Sequence, residues 1–209
     1  TMALVNNVLV NLRGSCHLPG ESEPPFWIGE SGCRGAPGAV SMANGVVDMG
    51  ALASGRVEAA PHGPRLFTLS SLPYAYDPDA ACEGWLKFLG QVVEDEAVRS
   101  LLQEWFGYNL VFDTSQHKFV LMQGEGANGK SVVCCVLKEM LGEASFSSVG
   151  LEALSPTRTF PLAAMLGKLA NVVEEISDID KAAEGVIKSI VAGNAMTVER
   201  KFRDPFNML

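Results

Sequence analysis

Between Met122 and Val132 the chain reads Gly124-Glu125-Gly126-Ala127-Asn128-Gly129-Lys130-Ser131. This is the pattern G-x-x-x-x-G-K-S, and no other segment constrains the fold as strongly. Gly124, Gly126 and Gly129 permit backbone angles and close approaches that a Cβ blocks, so successive N–H groups can turn toward one centre and cradle an anion. Lys130 then supplies a mobile positive charge, and Ser131 a hydroxyl suited to a hard cation. Asn128 adds a polar side chain to the same loop. The segment works only where a strand enters it and a helix leaves it, because the helix N-terminus contributes partial positive charge.

The flanks meet that requirement. Lys118 to Met122 is a short β-rich run, and Val132, Val133, Val136, Leu137, Met140 and Leu141 recur with the spacing of a helix packed on a sheet. Further on, Leu169 to Val173 reads as a buried strand closed by Glu174-Glu175, where a neighbouring strand would set carboxylates beside a bound phosphate. The pattern predicts that Lys130 contacts the β and γ phosphates of ATP. Ser131 and Glu174 are the expected Mg²⁺ ligands, Glu174 through the ion's water shell. Glu175 is expected to orient and polarise the attacking water. Lys130, Glu174 and Glu175 are thus the candidate catalytic residues, and Gly124 to Ser131 the candidate nucleotide-binding loop.

Upstream the sequence is less regular. Arg13 to Gly38 is crowded with Gly, Pro and Ser and reads as a long loop. Val40 to Met49 predicts a hairpin turning at Asn44-Gly45. Trp85, Leu86, Leu89, Val92 and Val93 predict one helix. A second, capped by Asp95 and stopped by Gly107, carries Val98, Leu101, Leu102, Trp105 and Phe106. Beyond Glu175, Asp180 is the expected cap of a helix bearing Ala183, Val186, Ile187, Ile190 and Val191, which Gly193 terminates. Met196 to Phe206 predicts a strand or hairpin rich in basic side chains. The fold class expected is α/β: a P-loop core with an incomplete parallel sheet flanked by helices (112–209), preceded by a helical module (79–111) and an irregular segment with a β-hairpin (1–78).

Composition narrows the function classes. The 209 residues are 47% hydrophobic, enough to bury a core, and the net charge of −8 argues against a surface that grips DNA all over. Any nucleic-acid contact is therefore expected to be local. The best N-terminal apolar run, Met2 to Leu12, is broken by Asn6, Asn7 and Asn11, short of the roughly 20 residues of a membrane span. A soluble, cytoplasmic protein without a membrane partner is expected. Five cysteines without a C-x-x-C pair read as free thiols, and Cys134 and Cys135 as core positions. Cys16-His17 with Cys33 falls short of a four-ligand metal site. His17, His62 and His117 share no spacing with a nucleophile, and Trp85, Trp105 and Phe106 read as packing residues.

Several segments together resemble a known family, the helicase part of phage and plasmid primase-helicases. That group is related to the poxvirus-type primase-helicase and belongs to superfamily 3 of the AAA+ ATPases. The resemblance is carried by Asn44-Gly45-Val46-Val47-Asp48, Pro61-His62, Leu72-Pro73-Tyr74-Ala75-Tyr76-Asp77-Pro78, Gln103-Glu104-Trp105-Phe106-Gly107-Tyr108 and the glycine loop. It is carried also by Ala192-Gly193-Asn194-Ala195-Met196-Thr197-Val198-Glu199-Arg200-Lys201-Phe202 with Asp204-Pro205-Phe206. It implies an AAA+ core that binds ATP and Mg²⁺, hydrolyses ATP, and moves on single-stranded or fork DNA during replication of a phage or plasmid in a bacterial host. It also implies assembly into a ring, a hexamer in such helicases, with Arg200, Lys201 and Arg203 gripping DNA phosphates in the channel. The sensor strand and arginine finger of the family would lie beyond Leu209, and a primase domain upstream, so the chain reads as truncated. Two other readings stand beside this one. A non-catalytic nucleotide- or DNA-binding remnant would bind without turnover. A small-substrate P-loop kinase would need a lid of clustered arginines, which the sequence lacks.

Overall fold

The computed structural model describes residues 2–15, 22–29, 32–52, 54–55, 57–154, 160–175, 181–199 and 206–208. The chain opens with α1 (Met2–Ser15), β1 (Phe26–Gly29), β2 (Gly32–Gly35), β3 (Ala39–Met42), β4 (Gly45–Asp48), α2 (Met49–Leu52) and β5 (Leu66–Phe67). β1 lies between β2 and β5, antiparallel to both. The long loop expected from Arg13 to Gly38 therefore contains a β-hairpin. What builds it is remote in sequence: Phe26 is 2% exposed and its ring stacks on Phe67 at 5.1 Å. Burying such an aromatic pair offsets the glycines around it, and no local periodicity reveals the partner.

β3 and β4 form the predicted hairpin, with Met42 paired to Gly45. The two-residue turn is thus Ala43-Asn44, one position earlier than expected. Gly45 is needed for another reason. A Cβ there would run into the Ala60 carbonyl, where Val46 and Ala60 exchange backbone bonds of 2.8 Å. Asn44 clasps Tyr76: its Nδ2 donates to the Tyr76 carbonyl at 2.9 Å, and its Oδ1 accepts from the Tyr76 N–H at 2.8 Å. His62 Nε2 lies 2.8 Å from the Met42 carbonyl, tying the following segment to the hairpin.

Next come α3 (Glu83–Val92), α4 (Glu96–Tyr108) and α5 (Lys130–Leu141). Asp95 caps α4 as predicted, its carboxylate accepting from the Ala97 N–H at 2.8 Å. Trp85 packs between Phe88 and Phe106, at 5.6 Å and 5.2 Å between ring centroids, so these aromatics are packing groups. Leu86, Val98 and Leu101, expected on the inner faces of α3 and α4, are exposed. One core joins Val40, Met42, Val47 and Leu72 to Phe106 of α4 and to Val133, Leu137 and Leu141 of α5. All three expected segments, 1–78, 79–111 and 112–209, feed this one cluster. Cys134 is buried, whereas Cys135, expected in the core, is exposed because it falls on the opposite side of α5.

The chain then passes through β6 (Phe146–Ser147) and β7 (Ala170–Asn171), which pair in parallel. Bonds from Leu169 N to Ser145 O (2.8 Å) and from Val172 N to Ser147 O (3.0 Å) extend the ladder across most of the predicted run. α6 (Lys181–Val191) buries Ala183 and Val186, and Gly193 ends it at φ 65°. The Asp180 cap lies outside the described residues. β8 (Met196–Val198) and β9 (Phe206–Met208) are antiparallel, the hairpin expected there. A second cluster unites Leu154, Leu162, Val186 and Val198.

The strand expected over Lys118 to Met122 is irregular, with Phe119 and Leu121 64% and 63% exposed. A strand exists only where a neighbour takes its amides, and no described segment pairs with this one. The parallel sheet among the described residues is therefore the two strands β6 and β7. No described helix is long and apolar enough to cross a membrane.

Candidate phosphate-binding site

The glycine loop turns at Gly126 and Ala127, bends through Asn128 and Gly129, and becomes α5 at Lys130. Two residues hold the left-handed conformation, Ala127 at φ 59° and Gly129 at φ 85°. Alternation of ordinary and left-handed residues turns consecutive N–H groups to one side and makes an anion-binding concavity. Ala127 takes a conformation that costs an L-residue about 1–2 kcal/mol. Gly124 is held tightly as well, because a Cβ on it would collide with the Asn128 side-chain amide. Beside Gly126 the space is open.

Lys130 reaches back across the loop. Its ammonium donates to the carbonyls of Gly124 (2.8 Å) and Glu125 (3.0 Å) and to Asn128 Oδ1 (2.8 Å). The lysine thus stands inside the turn that the glycines make. Ser131 is exposed on the first turn of α5, and no side chain caps that helix. Its first N–H groups therefore remain available at the positive end of the helix dipole. An ammonium, a hydroxyl and a helix N-terminus without a side-chain cap form a donor set whose chemistry fits a polyphosphate with a hard divalent cation.

The loop is backed by α3. A Cβ on Gly129 would meet Phe88 Cζ and Val92 Cγ1, each at 3.0 Å. Phe88 is the residue that sequence reasoning missed. Its role depends on a contact with a residue far along the chain, and within its own helix it reads only as one more aromatic.

Glu174 and Glu175 follow β7 and are both exposed. The Cys134 thiol, one turn after Lys130, has its pKa raised by burial first and by the negative charge of Glu174 second. The Glu174 carboxylate is thus near enough to α5 for its charge to act on the Cys134 thiol. Glu175 adjoins it without a specific partner among the described residues. Arg200, Lys201 and Arg203 fall between β8 and β9 in the chain and lie outside the described residues.

Two family models match the chain. Residues 33–94 match one described as D5 N terminal like, and residues 122–209 match a family of unknown function, DUF5906. The first match supports a D5-like primase-helicase family and a setting in DNA replication. No curated protein matches the chain. The first matched segment contains Phe88 and the second contains Gly129, so the two meet at the wall behind the glycine loop.

Proposed function

We propose that this chain is the nucleotide-binding part of a D5-like primase-helicase, with a P-loop core of the superfamily 3, AAA+ type. On this reading it binds ATP with Mg²⁺, and the intact protein hydrolyses ATP to move along single-stranded or fork DNA. The observation that carries the reading is the position of the Lys130 ammonium, held among Gly124, Glu125 and Asn128 at the mouth of an uncapped helix.

Mg²⁺, when bound, neutralises charge on the phosphates and favours phosphoryl transfer to water. The chain's own residues have separate tasks. Amides from Gly126 to Gly129 orient the phosphate tail, and Lys130 supplies the counter-charge. The Ser131 hydroxyl would ligate the cation, and Glu174 would hold it through its water shell. Glu175 orients and polarises the attacking water. Arg200, Lys201 and Arg203 contact DNA phosphates without reading sequence, in a channel formed when subunits close into a hexameric ring.

ATP hydrolysis measured with and without single-stranded DNA tests the reading. Turnover that DNA stimulates and Lys130→Ala abolishes supports a motor. Nucleotide binding with no turnover in the full-length protein leaves a binding module, and phosphate transfer to a small acceptor replaces the motor with a kinase.

A further inference from the structure

A lysine ammonium has three N–H donors and no lone pair. In Lys130 all three have acceptors inside the glycine loop, and the acceptors are of two kinds. Two are backbone carbonyls, of Gly124 at 2.8 Å and of Glu125 at 3.0 Å. The third is the side-chain oxygen of Asn128, at 2.8 Å. A carbonyl moves only when the loop moves, whereas Asn128 Oδ1 leaves by rotation about its side-chain bonds. A phosphate oxygen that reaches the ammonium must replace one acceptor, and replacing Oδ1 disturbs the backbone least.

Gly124 makes room for that side chain. It lies outside the left-handed region, so what the loop uses there is the missing Cβ. A Cβ on Gly124 would collide with Asn128 Nδ2 and stand 3.5 Å from Asn128 Cγ, yet remain 3.7 Å from Lys130 Nζ. The carboxamide therefore lies across Gly124 with its oxygen turned to the lysine. Its backbone is set between two left-handed residues, Ala127 at φ 59° and Gly129 at φ 85°, while the side chain is exposed. Exchange also has a chemical direction. The carboxamide oxygen is neutral and a phosphate oxygen is ionised, so the ammonium gains by it.

We propose that Asn128 is a positioning residue that acts through Lys130: its side chain holds the ammonium inside the loop and yields that one donor to an entering polyphosphate. One hydrogen bond to Asn128 breaks as one to the phosphate forms, and the two backbone carbonyls keep their bonds throughout. The proposal rests on the phosphate reading of the loop given above and adds to it a residue that tunes affinity. A weaker acceptor at position 128 tightens binding, and a stronger acceptor loosens it.

Calorimetric titration of the full chain with inorganic tripolyphosphate tests this without turnover. Asn128→Ala removes the competing acceptor and is expected to bind about threefold or more tightly than the parent. Asn128→Ser, whose hydroxyl is too short to reach the same point, is expected to follow it. Asn128→Asp puts an ionised acceptor against the ammonium and is expected to bind about tenfold or more weakly. A purely structural part for Asn128 would weaken all three variants, so the opposite signs are the signature. Thermal unfolding of the variants should stay near that of the parent, because the side chain is exposed. The proposal is overturned if Asn128→Ala and Asn128→Ser bind as the parent does or more weakly, or if Asn128→Asp binds as tightly as the parent. In those cases a parent that binds tripolyphosphate and a Lys130→Ala variant that does not would leave the phosphate reading intact. A folded parent that does not bind tripolyphosphate overturns both.

Discussion

Gly129 of the phosphate loop rests against Phe88 of α3, so closely that a Cβ added to the glycine would stand 3.0 Å from the phenylalanine's Cζ. Phe88 in turn stacks on Trp85, and Trp85 packs at a tilt against Phe106 in the core. The wall of the candidate site is thus continuous with the packing of the helical module.

Gly129→Ala should therefore destabilise the fold on two grounds. Alanine at φ 85° carries a penalty of about 1–2 kcal/mol, and its methyl displaces the Phe88 ring. A loss of about 2 kcal/mol is expected in chemical denaturation. Adding Phe88→Ala makes room for the methyl, so the double variant should lose less than the sum of the single losses. Strict additivity would mean the two residues do not touch.

Asn44→Ala removes both hydrogen bonds to the Tyr76 backbone. Each has a net value of about 0.5–1.5 kcal/mol, so a loss of about 1–3 kcal/mol is expected in the same assay. Leu137→Ala, deep in the cluster shared by the hairpin, α4 and α5, should cost about 2–5 kcal/mol. If Leu137→Ala cost less than Asn44→Ala, α5 would not be seated in that core.

The thiol of Cys134 reports on Glu174. Burial and the Glu174 carboxylate both favour the neutral thiol in the folded chain, so its pKa there exceeds the unfolded value. The sign follows: the stabilising contribution is complete below the ordinary thiol pKa of about 8.5, and is lost as pH rises through the higher folded value. Glu174→Gln removes one of the two causes. A site-resolved NMR titration of Cys134 should then show a lower midpoint than the parent, and an unmoved midpoint would place Glu174 away from α5.

How much of this was legible in the sequence depends on the range of the interactions. The glycine loop, the Asp95 cap and the apolar faces of α5 and α6 are local patterns, and each forms where its own residues require. The hairpin was legible too, but not its turn, because Gly45 answers to Ala60 and not to its own neighbours. β1 and β2 were hidden because Phe26 needs Phe67, and turn-rich flanks mask a four-residue strand. The run from Lys118 to Met122 has β-forming side chains yet no partner among the described residues. Phe88 escaped notice for the same reason as Phe26, since its meaning lies in Gly129.

The central claim is that the loop from Gly124 to Ser131 holds the phosphates of a nucleotide through Lys130. Calorimetric titration of the chain with a non-hydrolysable ATP analogue and Mg²⁺ addresses it directly. The account predicts saturable binding at one site per chain, lost in Lys130→Ala while the variant's thermal unfolding in the absence of nucleotide stays near that of the parent. Equal affinity of parent and variant, or no binding by the folded parent, would contradict it.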